Sequence, residues 1–310
     1  MTPQPRILVI RLSALGDFVQ SMGPFAAVRK HHPDARITLL TTKPYVALAK
    51  ASPYFDEIWV DQRPKPWDVP GILRLRKMLR SAKFQMVYDL QTSDRSSSYF
   101  HLVADDTPWS GIAEDCSHPH ANLDRDSMHT LDRQAEQLRM AGIPETPPAD
   151  LSWVQRDLRK FHLPQKFILM VPGGAAHRPA KRWPADRYAA ISRRLGERGI
   201  ATVVLGTAAD SESVDQVLSG SRTAMSLVDQ TEILDIPAIA RQAWAALGND
   251  TGPMHLAAAA GCRSVVLFSD DSNPDLCAPR GRVAILRRPD LSALEVDEVW
   301  GALNEAERDH

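Results

Sequence analysis

Short apolar runs alternate along the chain with stretches of helical spacing, and this alternation limits the fold more than any other feature. The first run, Ile7-Leu8-Val9-Ile10, contains no polar residue, which is typical of a strand buried on both faces of a parallel sheet. Helical stretches follow such runs, and this is the βαβ order of α/β domains. We predict strands at residues 6–10, 37–40, 57–60, 86–90, 167–171, 201–205, 243–247 and 264–268, and helices that include 71–83 and 291–306.

A proline-rich stretch near the middle of the chain indicates two domains. A chain of 310 residues that is 44% hydrophobic is long enough for two α/β cores. Four prolines between residues 142 and 165 mark the junction, where a short helix is predicted at 155–160. The predicted domains are residues 1–150 and residues 151–310.

Charge and cysteine content exclude several classes of protein. Lys and Arg number 37 and Asp and Glu 38, so a net charge of -1 gives no overall field for nucleic acid. Cys116, Cys262 and Cys277 form no Cys-x-x-Cys pair and no disulfide framework, which is typical of a reducing cytoplasm. The sequence has no signal peptide and no apolar run that could span a bilayer. We expect a soluble cytoplasmic protein that can still touch a membrane surface.

The stretch Gly248-Asn249-Asp250-Thr251-Gly252-Pro253-Met254-His255-Leu256 follows the run at 243–247 and predicts a strand, a turn and a helix. Asp250 or Thr251 can cap this helix, Pro253 suits its first turn, and Gly261 can end it. Backbone N–H groups and the positive dipole end at such a helix start bind anions. The stretch therefore predicts either a phosphate site or an ordinary capped helix.

A second anion signal follows the predicted strand at 167–171, in Pro172-Gly173-Gly174-Ala175-Ala176-His177-Arg178-Pro179-Ala180-Lys181-Arg182-Trp183-Pro184. A glycine pair followed by clustered cations suits phosphate, and the Lys181 ammonium with the Gly174 backbone could face a diphosphate. A solvated basic loop is the alternative. Two such signals in one domain strengthen the phosphate interpretation.

The turn after the first strand carries Gly16 and Asp17, at the strand end where ligands of α/β sheets bind. Gly16 leaves room where the backbone bends, and a helix dipole favours the ionised form of Asp17. An ionised aspartate facing a cleft can accept a proton, but Asp17 could instead simply cap the helix. The turn lacks G-x-G-x-x-G and the chain lacks a P-loop motif, which disfavours both of those nucleotide sites.

Three segments, taken in their order, resemble glycosyltransferase family 9, the ADP-heptose:lipopolysaccharide heptosyltransferases. They are Leu12-Ser13-Ala14-Leu15-Gly16-Asp17, the Pro-Gly-Gly turn with Ala180-Lys181-Arg182-Trp183-Pro184, and the stretch from Gly248 through Ala259. The resemblance spans nearly the whole chain, and the third segment is the most specific. It implies the GT-B architecture, in which two Rossmann-like domains with parallel sheets face each other across a cleft. Residues 1–150 would then bind the acceptor and residues 151–310 the nucleotide sugar.

The resemblance also implies roles for individual residues. Asp17 matches the catalytic base, which takes the proton of the acceptor hydroxyl during an inverting displacement at the anomeric carbon. Lys181 matches the lysine that meets the donor phosphates, and with the backbone around Gly252 it would stabilise the leaving diphosphate without a metal or other cofactor. Thr231 lies near the nucleotide in the family, although helix capping explains it equally well. The residues expected to bind the nucleotide sugar are Gly174, Lys181, Thr231, Asp250, Thr251, Gly252, Pro253, Met254 and His255.

Acceptor contacts are expected from Ser13 and from the polar loop that begins at Gln91, in which Arg95 can pair with a carboxylate or phosphate. A solvated loop is the alternative. The predicted helix at 71–83 carries five cations, which fit either anionic lipid headgroups or plain solvent exposure. The expected partners are an ADP-heptose donor, a lipopolysaccharide core acceptor and, by peripheral contact, the cytoplasmic face of the inner membrane.

Two groups of residues resemble metal sites. Cys116, His118, His120 and His129 lie close together in sequence, but their spacing is not that of a usual metal site, and a polar loop beside the acceptor explains them better. Asp124-Arg125-Asp126 has the acid spacing of metal-dependent glycosyltransferases, but it does not follow an apolar strand. We therefore predict no metal at either place.

One departure from the family leaves the donor sugar open. After the predicted strand at 264–268, where relatives often have a Gly-Pro turn, this chain has Ser269-Asp270-Asp271-Ser272-Asn273-Pro274. Three hypotheses follow: an inverting heptosyltransferase of lipopolysaccharide core assembly, a relative that uses another nucleotide sugar, or a noncatalytic nucleotide-sugar-binding protein. Retention of Asp17 and Lys181 favours an enzyme.

Overall fold

The computed structural model describes residues 4–174 and 179–308. The chain divides into two compact units, Met1–Ala149 and Asp150–His310. The helix predicted at 155–160 is not formed, and a single 3-10 turn at Arg159–Phe161 takes its place. The Asp157 carboxylate accepts a hydrogen bond of 3.0 Å from the Arg159 backbone N–H, and this local turn competes with a helix.

The first unit is a parallel sheet flanked by helices. Its strands are β1 (Arg6–Ile10), β2 (Arg36–Thr41), β3 (Glu57–Val60), β4 (Met86–Asp89), β5 (Trp109–Gly111) and β6 (His118–Pro119). Its helices are α1 (Leu15–Gln20), α2 (Met22–His31), α3 (Val46–Ala51), α4 (Val69–Ser81), α5 (Asp94–Ser98) and α6 (Thr130–Met140).

The strands of the first unit pair in the order β3-β2-β1-β4-β5-β6, and every pair is parallel. This is the Rossmann order, in which the chain reverses its direction across the sheet between β1 and β4. Because β1 is central, Leu8 and Ile10 are fully buried, and they share a core with Leu75 and Leu79 of α4. The polar-free run in the sequence therefore reflects a strand covered on both faces.

The second unit has the same construction. Its strands are β7 (Phe167–Val171), β8 (Ala201–Val204), β9 (Ala224–Ser226), β10 (Ala245–Asn249), β11 (Ser264–Phe268) and β12 (Val283–Arg287). Its helices are α7 (Ala185–Glu197), α8 (Ser211–Ser219), α9 (Asp235–Ala240), α10 (Gly252–Ala259), α11 (Pro274–Cys277) and α12 (Val296–Arg308).

The order in the second sheet is β12-β11-β10-β7-β8-β9, again with all pairs parallel. Read from β9, this is the same Rossmann order, and the reversal lies between β7 and β10. Leu169 and Val203 pack on one face of the sheet, and Met170 and Val204 pack on the other. The predicted α/β fold with two Rossmann-like parallel sheets is thus confirmed.

Helix α10 begins and ends as the sequence predicts. Thr251 is its N-cap, and Pro253 lies in its first turn. Gly261 follows the C-cap residue Ala260 and adopts a φ of 83°, in the left-handed region that glycine occupies without strain.

Eight of the twelve strands that the structure describes are predicted from the sequence. The bounds of β1, β3, β7 and β11 are those predicted, whereas β5, β6, β9 and β12 are not predicted at all. Strand β6 has only two residues, and β9 is half-buried, so neither has a continuous apolar run. Within the described ranges, none of the helices combines the length and the apolar composition of a transmembrane span.

Candidate nucleotide-sugar site and catalytic aspartate

A pocket of about 410 Å³ lies at the carboxyl ends of the strands of the second unit. It includes the turns that follow β7 and β8 and the start of α10, so it lies at the reversal of strand order. Ligands of open α/β sheets bind at this position. Of the residues predicted to bind the nucleotide sugar, those that line the pocket are Gly174, Thr231, Thr251, Gly252 and Pro253.

Asn249, at the end of β10, holds the walls of the pocket together. Its Nδ2 donates to the carbonyl oxygens of Pro172 and Gly173, at 2.8 Å and 3.1 Å. Its Oδ1 accepts from the Trp183 backbone N–H at 3.0 Å and from the Tyr188 hydroxyl at 2.9 Å. Because Asn249 is fully buried, these bonds fix the loop after β7 against the end of β10. This role of Asn249 is not apparent from its sequence motif.

The first glycine after β7 is required by its surroundings. A Cβ atom at Gly173 would lie 2.5 Å from the carboxyl group of Asp210, whereas one at Gly174 would make only ordinary contacts. Asp210 is held in place by the backbone N–H and the hydroxyl of Thr207, at 3.1 Å and 2.9 Å. Arg182 lies 3.4 Å from the Asp210 carboxylate and donates to the Gly174 carbonyl. Asp210 and Arg182 are therefore site residues that the sequence analysis missed.

The start of α10 forms another wall of the pocket. Thr251 and Gly252 line it, and the positive end of the helix dipole favours an anion there. Thr231 lines the same pocket and does not cap α9, whose N-cap is Leu234. Met254 is fully buried in the hydrophobic core, so its side chain does not line the pocket.

Lys181, Asp250 and His255 form a buried cluster of charged and polar groups. The Lys181 Nζ lies 2.8 Å from Asp250 Oδ2, and the two side chains are 13% and 10% exposed. Ser272 donates to the same oxygen at 2.7 Å, and His255 Nε2 lies 3.6 Å from Asp250 Oδ1. Burial alone would raise the pKa of Asp250, but the contacts with His255, Lys181 and Ser272 hold that pKa well below its ordinary value.

The cluster involves the turn that follows β11. Ser272 belongs to that turn, and its hydroxyl binds Asp250 directly. Asn273 caps the short helix α11 through the Asp275 backbone N–H. The turn therefore forms part of the surroundings of Asp250. Two residues of the cation cluster predicted to suit phosphate, His177 and Arg178, lie outside the described residues.

Asp17 lies at the start of α1, in the turn that follows β1 of the first unit. Its Oδ2 accepts a hydrogen bond of 3.1 Å from the Ala14 backbone N–H, and its Oδ1 lies 3.3 Å from the Arg11 guanidinium. The Asp17 side chain is 41% exposed. The carboxylate thus caps the helix, as one interpretation of the sequence predicts, and still remains accessible to a ligand.

Two long-range contacts hold the turn that carries Asp17. Arg11 is buried, and its Nη1 donates to the Leu90 carbonyl at 2.5 Å. Gln91 Oε1 accepts the backbone N–H groups of Leu12 and Ser13, at 2.8 Å and 3.0 Å. Gln91 and Ser13 therefore meet at the reversal between β1 and β4, and the Gln91 side chain holds the Ser13 backbone in position.

Asp89, the last residue of β4, has no exposed surface. Burial raises its pKa to about 6, although the backbone N–H groups of Thr92 and Gln91 and the charge of Arg11 act in the opposite direction. A carboxylate with this pKa titrates near neutral pH.

Arg95 contacts the loop that follows β3. Its Nη1 donates to the Pro64 carbonyl at 3.1 Å. Pro64, Asp61 and Arg74 line a second pocket of about 200 Å³ beyond the end of β3. Ser13 and Gln91, in contrast, bind each other at the turn after β1.

The residues of the predicted metal-type cluster serve local structure. His120 Nε2 lies 2.9 Å from Glu136, and His129 Nδ1 accepts from the Leu131 backbone N–H at the start of α6. His118 contacts its neighbour Ser117. In the part of the chain that the structure describes, no group of three or more His, Cys, Asp or Glu residues is arranged to hold a metal ion.

Comparisons with known proteins find similar sequences and similar folds. The sequence model of glycosyltransferase family 9 (heptosyltransferase) matches residues 72–288. The chain is 26% identical over 304 residues to lipopolysaccharide heptosyltransferase 2 of Escherichia coli, an alignment that covers 88% of this chain and 85% of the relative. It is 24% identical to the lipopolysaccharide core heptosyltransferase OpsX of Haemophilus influenzae, covering 90% of this chain and 83% of the relative.

Solved structures show the same fold. The family 9 glycosyl transferase of Veillonella parvula superposes with a TM-score of 0.86 at 21% identity, covering 100% of this chain and 99% of that one. The ADP-heptose lps heptosyltransferase II of E. coli gives 0.80 at 21% identity, covering 98% and 99%. The E. coli heptosyltransferase WaaC with ADP gives 0.77 at 15% identity, covering 97% and 99%. The fold is the GT-B type predicted from the sequence.

Proposed function

The chain belongs to glycosyltransferase family 9, and on this premise we propose that it transfers a heptose from ADP-heptose to an inner-core sugar of lipopolysaccharide. Its relatives in E. coli and H. influenzae are lipopolysaccharide heptosyltransferases, which supports this proposal. We further propose that residues 1–150 bind the acceptor and that residues 151–310 bind the donor.

One observation carries the proposal for the donor. Two segments that resemble the family, the glycine turn after β7 and the start of α10, line one pocket of about 410 Å³ at the reversal of the second sheet. A nucleoside diphosphate needs a pocket of this size, with backbone N–H groups and a positive helix end for its phosphates. Gly174, Thr251 and Gly252 would supply those contacts, and Thr231 would lie nearer the nucleoside.

Lys181 would stabilise the diphosphate as it leaves. Its ammonium has three donors, and its ion pair with Asp250 fixes one of them. The buried Asp250 carboxylate keeps the lysine oriented before substrate arrives, so that no reorganisation is needed as the phosphate gains charge. His255 and Ser272 act through Asp250 in this scheme, as positioning residues.

Asp17 would act as the general base in a direct displacement. The acceptor hydroxyl oxygen attacks the anomeric carbon, its proton passes to Asp17, and the bond from that carbon to the ADP phosphate oxygen breaks with inversion. Arg11 and the Ala14 backbone N–H hold the carboxylate in place. Because any carboxylate is a weak base toward an alcohol, proton transfer should come late, and orientation of the hydroxyl should supply much of the rate.

The acceptor is proposed to be lipid-linked and to be reached from the cytoplasmic side of the inner membrane. Ser13 and Gln91, which lie in or hold the Asp17 turn, would be near the acceptor hydroxyl. Arg95, which contacts the Pro64 carbonyl, would meet an anionic group of the acceptor.

Turnover of ADP-heptose with an isolated core acceptor tests the proposal. Asp17→Asn should lower kcat by about 10²- to 10⁴-fold and leave the Kd for ADP unchanged. Asp105→Asn, the same chemical change at an exposed aspartate, is the matched control and should have no effect. A folded Asp17→Asn protein with near wild-type transfer would refute the role of the base. Activity should persist in EDTA.

The choice of donor can be tested by thermal shift with ADP-, GDP-, UDP- and dTDP-sugars. ADP-heptose should give the largest stabilisation. A larger shift with another nucleotide sugar would identify that compound as the donor and leave the proposed type of reaction unchanged. Binding of ADP-heptose without turnover on any core acceptor would indicate a noncatalytic binding protein.

A further inference from the structure

Residues 62–83 form a basic segment with exposed apolar side chains. The segment holds seven of the 37 Lys and Arg residues of the chain but only one of its 38 Asp and Glu residues. It also holds three of the five exposed large apolar side chains among the described residues. These are Trp67, Val69 and Leu73, which are 74%, 58% and 55% exposed.

Val69 and Leu73 lie on the face of α4 opposite to its buried stripe, and Trp67 lies just before the helix. Gly71, Leu75 and Leu79 recur every fourth residue and are buried against the core of the first unit. Val69 and Leu73 are also four residues apart, and Leu73 lies two residues, or about 200°, from Leu75 around the helix. The core covers one stripe, so the second stripe points to solvent.

The exposed stripe is surrounded by cations. Arg76 and Lys77 are three and four residues after Leu73, so they extend the same exposed face by one turn. Lys65 lies just before the helix, with its Nζ 5.2 Å from the centre of the Trp67 ring. An exposed tryptophan, an apolar helix stripe and flanking cations together are typical of a helix that lies in the interface of an anionic membrane.

We propose that this face of α4, with Trp67, docks the protein on an anionic lipid bilayer. Val69, Leu73 and the Trp67 ring would enter the headgroup region, and Lys65, Arg76 and Lys77 would meet lipid phosphates. The proposal deepens the proposed function, on which it rests for a lipid-linked acceptor. It names the surface that brings the enzyme to that lipid.

Flotation with vesicles of phosphatidylglycerol and phosphatidylethanolamine tests the surface directly. The wild-type protein should bind at low salt, bind much less at high salt, and fail to bind vesicles of phosphatidylcholine alone. The triple variant Lys65→Glu/Arg76→Glu/Lys77→Glu should lower the partition coefficient by about 100-fold or more, since each cation near the surface contributes about fivefold. Its unfolding temperature should be unchanged, because all three side chains are exposed.

A matched control separates this surface from net charge. Lys30→Glu/Lys50→Glu/Arg193→Glu makes the same change in net charge at three other exposed positions and should bind like the wild type. Equal loss in both triple variants would overturn the proposal, because binding would then follow total charge. Absence of binding by the wild type at low salt would overturn it as well.

The apolar part of the surface has its own test. Brominated lipids should quench part of the tryptophan fluorescence of the wild type, and Trp67→Phe should remove that quenched part while vesicle binding persists. Leu73→Ser should weaken binding about tenfold, whereas Leu123→Ser, at a residue that is 99% exposed elsewhere, should not. If Trp67 were instead covered by a second copy of the chain, a dimer lost in Trp67→Ser and an absence of quenching would refute the proposal.

These measurements do not depend on the transfer reaction. The vesicles contain neither donor nor acceptor, so failure of the proposed function would leave vesicle binding intact. Conversely, the charge-reversed surface variant should retain wild-type turnover on a delipidated, water-soluble core acceptor. Loss of turnover on that acceptor would mean that the segment has another role.

Discussion

The buried ion pair between Lys181 and Asp250 makes a sharp prediction for Lys181→Met. The substitution leaves a carboxylate that is 10% exposed with Ser272 and His255 as partners. Breaking a buried pair costs about 3–5 kcal/mol when the remaining charge is left without compensation. Because two partners remain, we expect a loss of about 2–3 kcal/mol in the free energy of unfolding. For a unit of this size that corresponds to about 4–12 °C in Tm.

The pH dependence of this loss has a definite sign. The folded-state pKa of Asp250 is depressed, so its stabilising contribution is present above the ordinary carboxylate range and is lost as the pH falls through that range and below it. The difference between wild type and Lys181→Met should therefore be full at pH 7 and shrink below about pH 4. Urea unfolding of both proteins at several pH values measures it.

The same variant tests the donor site. If Lys181 meets the diphosphate, ADP should bind about 10- to 100-fold more weakly, since a hydrogen bond to a charged group contributes about 1.5–3 kcal/mol. Lys181→Met/Asp250→Asn should recover stability, because no buried charge is left unpaired, but it should not recover ADP affinity.

A second lysine provides the control. Lys160 lies 3.2 Å from the buried Asp235, but it is 51% exposed and Asp235 also pairs with Arg156 at 2.7 Å. Lys160→Met should thus cost less than about 1 kcal/mol and leave ADP binding unchanged. Equal effects of Lys181→Met and Lys160→Met on both stability and ADP affinity would refute the argument.

Three other substitutions test neighbouring features. Gly173→Ala should destabilise the second unit by about 1–3 kcal/mol and weaken ADP binding, because its Cβ would displace Asp210. Gly174→Ala should be tolerated. Thermal unfolding with and without ADP compares the two variants. Asp89→Asn should stabilise the protein by about 2–3 kcal/mol at pH 8 and hardly at pH 4. The reason is that the pKa of Asp89 is raised to about 6, so its ionised form destabilises the folded state as the pH rises. Urea unfolding midpoints at both pH values measure this difference. Gln91→Leu should lower kcat at least tenfold with an unchanged Kd for ADP, because two N–H groups of the turn that carries Asp17 lose their acceptor. A Kd that rises as kcat falls would contradict this role.

The parts of the fold that the sequence predicts are those with a local cause. Strands β1, β7 and β11 each have a partner strand on both sides and are covered on both faces, so each needs an unbroken apolar run that can be recognised without knowledge of the partner strand. The start and end of α10 follow from Thr251 and Gly261, whose backbone preferences are also local. The edge strands β6 and β9 have no such requirement and were not predicted.

The candidate site divides in the same way. The glycine turn after β7 and the start of α10 stand out in the sequence, because glycine, proline and capping residues mark them as places where backbone can meet an anion. The sequence does not show that Met254 turns into the core while its neighbour Pro253 lines the pocket, because burial on a helix depends on what packs against it. Nor does it show that Asp210 requires Gly173.

The sequence by itself thus determined the α/β class, the family motifs in each half of the chain, and the charged residues proposed to take part in sugar transfer. Tertiary structure alone decided which residues hold those groups in place. Gln91 meets Leu12 across 79 positions, and Asn249 meets Pro172 across 77. The physical reason is that parallel strands are joined by long crossovers, so residues at adjacent strand ends are close in space and far apart in the chain. Such contacts result from the order of the strands in the sheet, so no local sequence pattern predicts them.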